Sequence, residues 1–429
     1  MLDYQSSQLR KLIGHAYANV HYYRRLFDSA GLKPRDIRDI NDLSRIPITR
    51  KPDLQMLPLR DRLARGISER DLILRKTGGS TGTQIVIRRT WLEERLLNAF
   101  RFRARRALGL RITDRIASVG LVRTVQHADR QMMSQLLQSM GLLRVTKIDC
   151  RQPIPDITGE LDKLQPDVIT GYAGTIARVA QEILNRAARD GCSWRIRPRF
   201  VTTGAEVQTP LMREQIRQAF GCPVYNVYGA HEFNLVACEC PATGQLHTCD
   251  DLVIVEVLRG NVSVDIGQRG EVVATNLHSF AMPFIRYRLD DVVTRGPDRC
   301  PCGAPFATIH SIQGRMLDHF PLPDGRLIHP YQIIDTLLHD RIKWMRQYQL
   351  VQERPDLIIL RVVAHQKPTP QRLAEIHSDA RKLFGARADL RIDWVDEISA
   401  EPNGKYRLAR SELHSNYTDF DWERVSDAR

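Results

Sequence analysis

The chain has 429 residues, 42% of them hydrophobic, enough to bury a large core and to divide into two or more domains. Lys and Arg outnumber Asp and Glu by 63 to 50, and the net charge of +13 favours anionic partners such as a nucleotide or phosphorylated cofactor. No apolar run approaches the ~18 residues of a membrane-spanning helix, and the polar N-terminus lacks a signal-peptide core. A cytoplasmic protein with no membrane partner is expected. Eight cysteines in so long a chain without a secretion signal do not read as a disulfide framework.

Residues 1 to about 75 carry a helical pattern through Leu9, Leu12, Ile13, Ala16 and Tyr17, followed by Pro-punctuated connectors at Pro34, Pro47 and Pro52. Next comes Arg75 to Arg88, R-K-T-G-G-S-T-G-T-Q-I-V-I-R, in which all seven residues from Thr77 to Thr83 are Gly, Ser or Thr. Glycines let backbone N–H groups converge on an anion, and the hydroxyls of Thr77, Ser80, Thr81 and Thr83 add donors suited to phosphate. Neither the Walker spacing nor the dinucleotide fingerprint fits, and an alternating Ile-Val-Ile run after the loop places it between two strands. A plain surface turn is the competing reading of this stretch. Arg101, Arg103, Arg105, Arg106 and Arg111 share a helical pattern with Trp91, Leu97 and Phe100. Without aromatic platforms beside the charge they read as a solvated helix face, and no nucleic-acid partner is expected.

Beyond it, short apolar strands alternate with helical patterns. Strands are expected at Arg115–Gly120, Leu143–Ile148, Val168–Thr170, Phe200–Thr203 and Val224–Val227. Helices are expected at Arg130–Met140, Thr175–Arg189 and Pro210–Phe220. This alternation argues for α/β layers around a mainly parallel sheet. From Leu252 the texture changes to hairpins, and past Arg315 it becomes a compact α+β unit of about 110 residues, ordinary domain size. The fold class is therefore α/β: a large N-terminal domain of layered sheets over 1–315 and a small α+β domain over 316–429.

Four further segments carry chemical groups. Thr203-Gly204-Ala205-Glu206 follows an apolar strand, where doubly wound sheets bind ligands. Tyr228-Gly229-Ala230-His231-Glu232 follows another; its ring can stack on a base and its carboxylate can ligate Mg2+. Arg286 to Asp291 offers a carboxylate for ribose hydroxyls, or a turn held by salt bridges. Glu401-Pro402-Asn403-Gly404-Lys405 presents a single lysine.

Taken together and in this order, these segments resemble the adenylate-forming ligases, and within them the phenylacetate–CoA ligase branch. Thr77–Thr83 is similar to the superfamily's phosphate loop, and Tyr228-Gly229-x-x-Glu232 to its Tyr-Gly-x-Thr-Glu motif. Arg286–Asp291 is similar to its Tyr-Arg-Thr-Gly-Asp segment, Gly314-Arg315-x-x-Asp318 to its hinge, and Gly404-Lys405 to its closing lysine. Ala16-Tyr17-Ala18-Asn19 through Tyr22-Tyr23, Gly31-Leu32 and Ile46-Pro47 resembles the opening of the phenylacetate branch. His231 stands where that family has Thr, and Leu289-Asp290 replaces Thr-Gly.

The resemblance implies a carboxylic acid attacking the α-phosphate of MgATP, then transfer of the acyl group from the adenylate to coenzyme A. It assigns Thr77, Ser80, Thr81 and Gly82 to the phosphates and Glu232 to Mg2+. Gly204, Ala205, Glu206, Tyr228 and Gly229 would line the adenine and acyl site, and His231 would contact the adenylate or simply pack. Asp291 would hold the ribose and Arg315 ribose or phosphate, while Lys405 would reach the reacting carboxylate and α-phosphate. The expected substrate is a small aromatic or aryl-acetic acid, and a homodimer fits the family. Transfer to an amine or carrier-protein thiol is the alternative, and an inactive zinc-stabilised binding protein the second.

The chain also holds Cys238-Glu239-Cys240 with His247, Cys249 and Cys300-Pro301-Cys302. Short-spaced thiols on two loops with a nearby imidazole suit tetrahedral zinc, against the alternative of buried free thiols. The favoured ligands are Cys240, His247, Cys300 and Cys302, since Glu-Cys-Pro…Leu-His also resembles the phenylacetate branch; Cys238 or Cys249 would be substitutes. Four protein ligands make the metal structural.

Overall fold

A computed structural model describes residues 1–76, 85–122, 138–190, 194–315, 319–338, 344–401 and 404–413, the side chains of residues 76, 190, 315, 331 and 335 excepted. The chain forms two compact units: Met1–Arg111 with Tyr225–Ile312, and Ile112–Val224 with Gln313–Arg429.

In the first unit the helices Leu2–Asn19 and His21–Ser29 bury Leu9, Leu12, Ile13, Ala16, Tyr23 and Phe27 against Ile254, Leu277 and Ile285. Their 3- and 4-residue spacing puts these side chains on one stripe, which is what makes the helices amphipathic. Tyr23 is fully buried and satisfies its hydroxyl twice, donating to Pro283 O at 3.1 Å and accepting from Ile285 N at 2.9 Å. The hairpin Leu72–Lys76 and Val86–Thr90 pairs antiparallel, from Leu72 opposite Thr90 to Lys76 opposite Val86. Thr90 then caps the helix Trp91–Ala107 in a reciprocal box with Glu93. A run of hairpin strands follows in the order Val262–Ser263, Val253–Arg259, Arg269–Asn276, Tyr287–Arg295, Thr308–Arg315, Leu246–Thr248, Ala237–Glu239 and Val224–Tyr228.

The second unit holds a parallel sheet ordered Phe200–Gly204, Val168–Tyr172, Arg115–Gly120, Arg144–Asp149. The helices Ile154–Leu164, Ala173–Asp190 and Pro210–Phe220 flank these strands, as a parallel sheet with crossover connections requires. The same unit contains a sheet ordered Asp389–Trp394, Leu357–Ala364, Met345–Arg354, Ala409–Ser411 and the helix Pro370–Phe384. That helix starts at a Thr369 cap and buries Ile376, Ala380, Leu383 and Phe384. One apolar core runs through the unit, from Ile169 and Val201 to Leu350 and Leu360.

The α/β class and nearly every expected strand are present, mostly displaced by one residue at their ends; Pro210–Phe220 matches in full. Most of the expected helix Arg130–Met140 lies outside the described residues. The arginine run differs from the solvated face expected of it. Arg103 pairs with Asp251 at 2.9 Å and stacks over Phe306, and burial lowers the Arg105 pKa to about 9. A helix packed on a sheet leaves too little outer face for five arginines, so some of their stems line the packed side. Among the described residues no helix is long and apolar enough to cross a membrane.

Candidate functional site

The Tyr228–Glu232 turn leaves the strand Val224–Tyr228 in the first unit. Tyr228 is 7% exposed and donates its phenol O–H to Asp291 Oδ2 at 2.6 Å, so two motifs 63 residues apart share one hydrogen bond. Glu232 is buried and accepts from the Tyr287 hydroxyl at 3.3 Å, while its own carbonyl accepts from Asn276 Nδ2 at 3.1 Å. Burial holds the Glu232 carboxyl above its ordinary value, against the pull of Lys51 and Arg89. The His231 side chain is exposed, so it does not pack into the core.

The strand that leaves the hydroxyl-rich loop reaches this same turn. Ile85, Ile87 and Arg89 alternate onto one face and are 1%, 0% and 3% exposed. The Arg89 guanidinium bonds Glu94 at 3.3 Å and donates to the His231 carbonyl. Thus Arg89 ties the base of this hairpin to the tyrosine–glutamate turn. Sequence reading did not single it out, although a strand alternation that carries an arginine onto its buried face was visible. Lys51, the other cation acting on Glu232, had no motif to mark it. Thr77, Ser80, Thr81, Gly82, Asp318 and the Arg315 side chain lie outside the described residues; the Arg315 backbone ends a strand.

Arg286 is the most deeply buried arginine of its motif, 1% exposed. Its guanidinium makes two bonds to Glu256, at 3.0 and 2.9 Å, and donates to the carbonyls of Ser44 and Ile46. It fastens the N-terminal connector to the hairpins. Met282 and Phe284 are core residues, 2% and 0% exposed, with Phe284 edge-on to Tyr287.

In the second unit, Gly204 ends the strand Phe200–Gly204 and Ala205 adopts a left-handed φ of 64°. Glu206 accepts from Gly174 N at 2.6 Å and from Tyr406 N. Lys405 donates to Ala205 O at 3.2 Å, and its ammonium lies 5.7 Å from the centre of the Tyr172 ring. The closing lysine therefore sits directly on the Gly204–Glu206 turn. Withdrawal from water pushes the Glu206 pKa up to about 7, although Gly174 N, Tyr406 N and Lys405 pull it down.

The first unit also gathers Cys240, His247, Cys300 and Cys302, whose ligand atoms all lie within 4.8 Å of one another. Cys302 Sγ and His247 Nε2 are 3.4 Å apart. A tetrahedral zinc shell puts such donors about 3.5 Å apart, and a set of three sulfurs and one imidazole suits zinc rather than a hard cation. Pairing of Thr308 with His247 and of Ile309 with Leu246 brings the late loop beside the early one. Cys238 and Cys249 are buried apart from this group, and burial raises both thiols, Cys238 to about 11.

The chain has relatives among known proteins. The CapK C-terminal domain family matches residues 322–412. Phenylacetate-coenzyme A ligase of Thermus thermophilus is 26% identical over 353 residues, 78% of this chain and 74% of that protein. The Pseudomonas putida enzyme of the same name is 29% identical over 355 residues, 78% and 75% of the two chains. Among solved structures, 2-hydroxyisobutyryl-CoA ligase in its postadenylation state, in complex with R3-HIB-AMP, superposes with a TM-score of 0.76 at 19% identity, covering 99% of this chain and 89% of that one. The fold is that of the acyl-adenylate-forming ligases.

Proposed function

We propose that this chain, a homologue of the phenylacetate-CoA ligases, activates a carboxylic acid with ATP as an acyl-adenylate and transfers the acyl group to coenzyme A. The observation that carries the reading is Lys405 held on the Gly204–Glu206 turn, as an adenylating lysine must be held on its acid-binding turn. An aromatic or aryl-acetic acid is the substrate this reading favours.

The carboxylate oxygen attacks the α-phosphorus, the bond to the bridging oxygen breaks, and pyrophosphate leaves. Charge builds on the phosphoryl oxygens, and Lys405 offers a compact positive charge to offset it. Tyr228 and Asp291 act on the nucleoside as a hydrogen-bonded pair, and Gly204 and Ala205 form the wall beside the acyl group. Thr77, Ser80, Thr81 and Gly82 hold the outer phosphates. Glu232, a buried carboxylate that accepts from a phenol at 3.3 Å, suits Mg2+, which when bound would neutralise phosphate charge. In the second step the thiolate of coenzyme A displaces AMP. Residues 316–429 act as a mobile domain, turning about Arg315–Asp318 to remove Lys405 and admit the thiol. Zinc on Cys240, His247, Cys300 and Cys302 is structural, since four protein ligands leave no open position.

The test is pyrophosphate release from ATP against a panel of aromatic, aryl-acetic and short aliphatic acids, followed by product mass with coenzyme A or with amines. An acid-dependent burst and an acyl-CoA mass are expected. Release with no acid in the panel would overturn the reading, and an amide product would move the second step to an amine.

A further inference from the structure

Around Lys405 the second unit has contacts that the adenylation chemistry does not itself require. Glu206 uses one carboxylate to accept from two backbone N–H groups more than 200 residues apart. One is Gly174 N, in the first turn of the helix Ala173–Asp190, and the other is Tyr406 N, next to the lysine. Tyr406 is 6% exposed and donates its hydroxyl to Tyr348 O, which anchors the loop in the C-terminal sheet. The fit is close. A Cβ on Gly174 would lie 2.3 Å from Tyr406 Cβ, and one on Gly404 would lie 2.2 Å from Cys150 Sγ. Gly404 also holds a φ of 77°, in the left-handed region. Only bare backbone at both positions lets the loop seat.

We propose that Glu206 is a positioning residue, a carboxylate clasp that joins the Tyr406 amide to the start of the helix Ala173–Asp190 and so fixes where the Lys405 ammonium points. The inference rests on the adenylating role given to Lys405 above. A carboxylate that accepts two N–H bonds defines the orientation of both donors, whereas the Lys405–Ala205 contact, made by the tip of a flexible stem, does not. The charged and titratable groups facing Glu206 are Lys405 and Glu401 on the loop, Tyr406 beside it and Cys150 across the turn. Release of the clasp is then part of the change from the first half-reaction to the second.

Two variants break the clasp by unrelated means. Glu206→Ala removes the acceptor, and Gly174→Ala wedges Tyr406 away while leaving the carboxylate intact. Backbone hydrogen exchange of the ligand-free chain reads the clasp directly, whatever the substrate. Both variants should raise exchange across Gly404–Ser411 by about tenfold or more, the loss of roughly 1.4 kcal/mol of local protection. Unchanged exchange in both overturns the clasp. In the kinetic arm, with phenylacetate or whichever acid of the panel turns over, pyrophosphate release should fall at least about tenfold. In Gly174→Ala, thioester formation from preformed adenylate and coenzyme A should stay within about threefold, and pyrophosphate release by Glu206→Gln, which keeps one acceptor, should fall between wild type and Glu206→Ala. Equal loss in both half-reactions would make the effect merely structural and overturn the positioning role. Should Lys405→Ala keep full adenylation while the exchange result holds, the lysine assignment fails and the clasp stands.

Discussion

Tyr228 donates its phenolic O–H to Asp291 Oδ2 across 2.6 Å, so the tyrosine that ends one strand and the aspartate in another hold each other in place. Each is oriented by the other as well as by its own turn. Tyr228→Phe removes the bond and leaves the ring. With a charged acceptor the bond is worth about 1.5–3 kcal/mol, so KM for ATP should rise roughly 10-fold or more. Stopped-time pyrophosphate release at varied ATP checks this, and an unchanged KM would remove the pair from nucleotide binding.

Lys405→Ala should lower the rate of adenylation by at least about a thousandfold, the usual scale for losing a charge aimed at developing anion. Transfer from preformed adenylate to coenzyme A should persist. Separate assays of the two half-reactions decide between this and a lysine that serves only to close the loop.

Loss of the proposed zinc site should be felt as stability. Cys300→Ser breaks a set of four donor atoms within 4.8 Å of one another, and bound zinc measured by plasma emission should fall from one equivalent to none. The melting temperature should drop by several degrees, on the order of 2 kcal/mol or more in a structural site. Chelator should reproduce the drop in the wild type and do nothing further to the variant.

Arg286→Ala should be among the most damaging changes outside the reacting groups. It strands Glu256 and uncovers the Ser44 and Ile46 carbonyls. Breaking a buried pair on one side costs about 3–5 kcal/mol. Urea denaturation measures it, and Arg286→Lys, which cannot make the double bond to Glu256, should recover only part.

The Glu206 pKa, raised to about 7 by burial, sets the sign of a pH effect. A carboxyl that binds its proton more tightly when folded adds stability below its ordinary value, and that contribution is lost as pH rises through about 7. Glu206→Gln carries no such proton. The melting temperature of the variant should therefore gain on that of the wild type as pH rises between the two values. A constant gap across that range would mean that Glu206 titrates normally.

Much of this was legible in the letters. The parallel strands read as apolar runs because both their faces are covered, and the helix expected at Pro210–Phe220 has those bounds in the structure, between a Thr209 cap and a left-handed Gly221. Four zinc-type donors could be named from spacing and resemblance, and the structure brings those four together. Local chemistry, spacing and motif order are properties of short stretches, so sequence alone determined the fold class and the candidate residues. It did not yield the partners. That Arg89 reaches the His231 carbonyl, that Glu206 clasps Tyr406 and that Arg286 is spent on Glu256 depend on which distant backbones meet. Those meetings are set by the packing of whole layers, because a buried charge or amide takes whichever partner the tertiary fold brings within about 3 Å, and no local pattern encodes that choice.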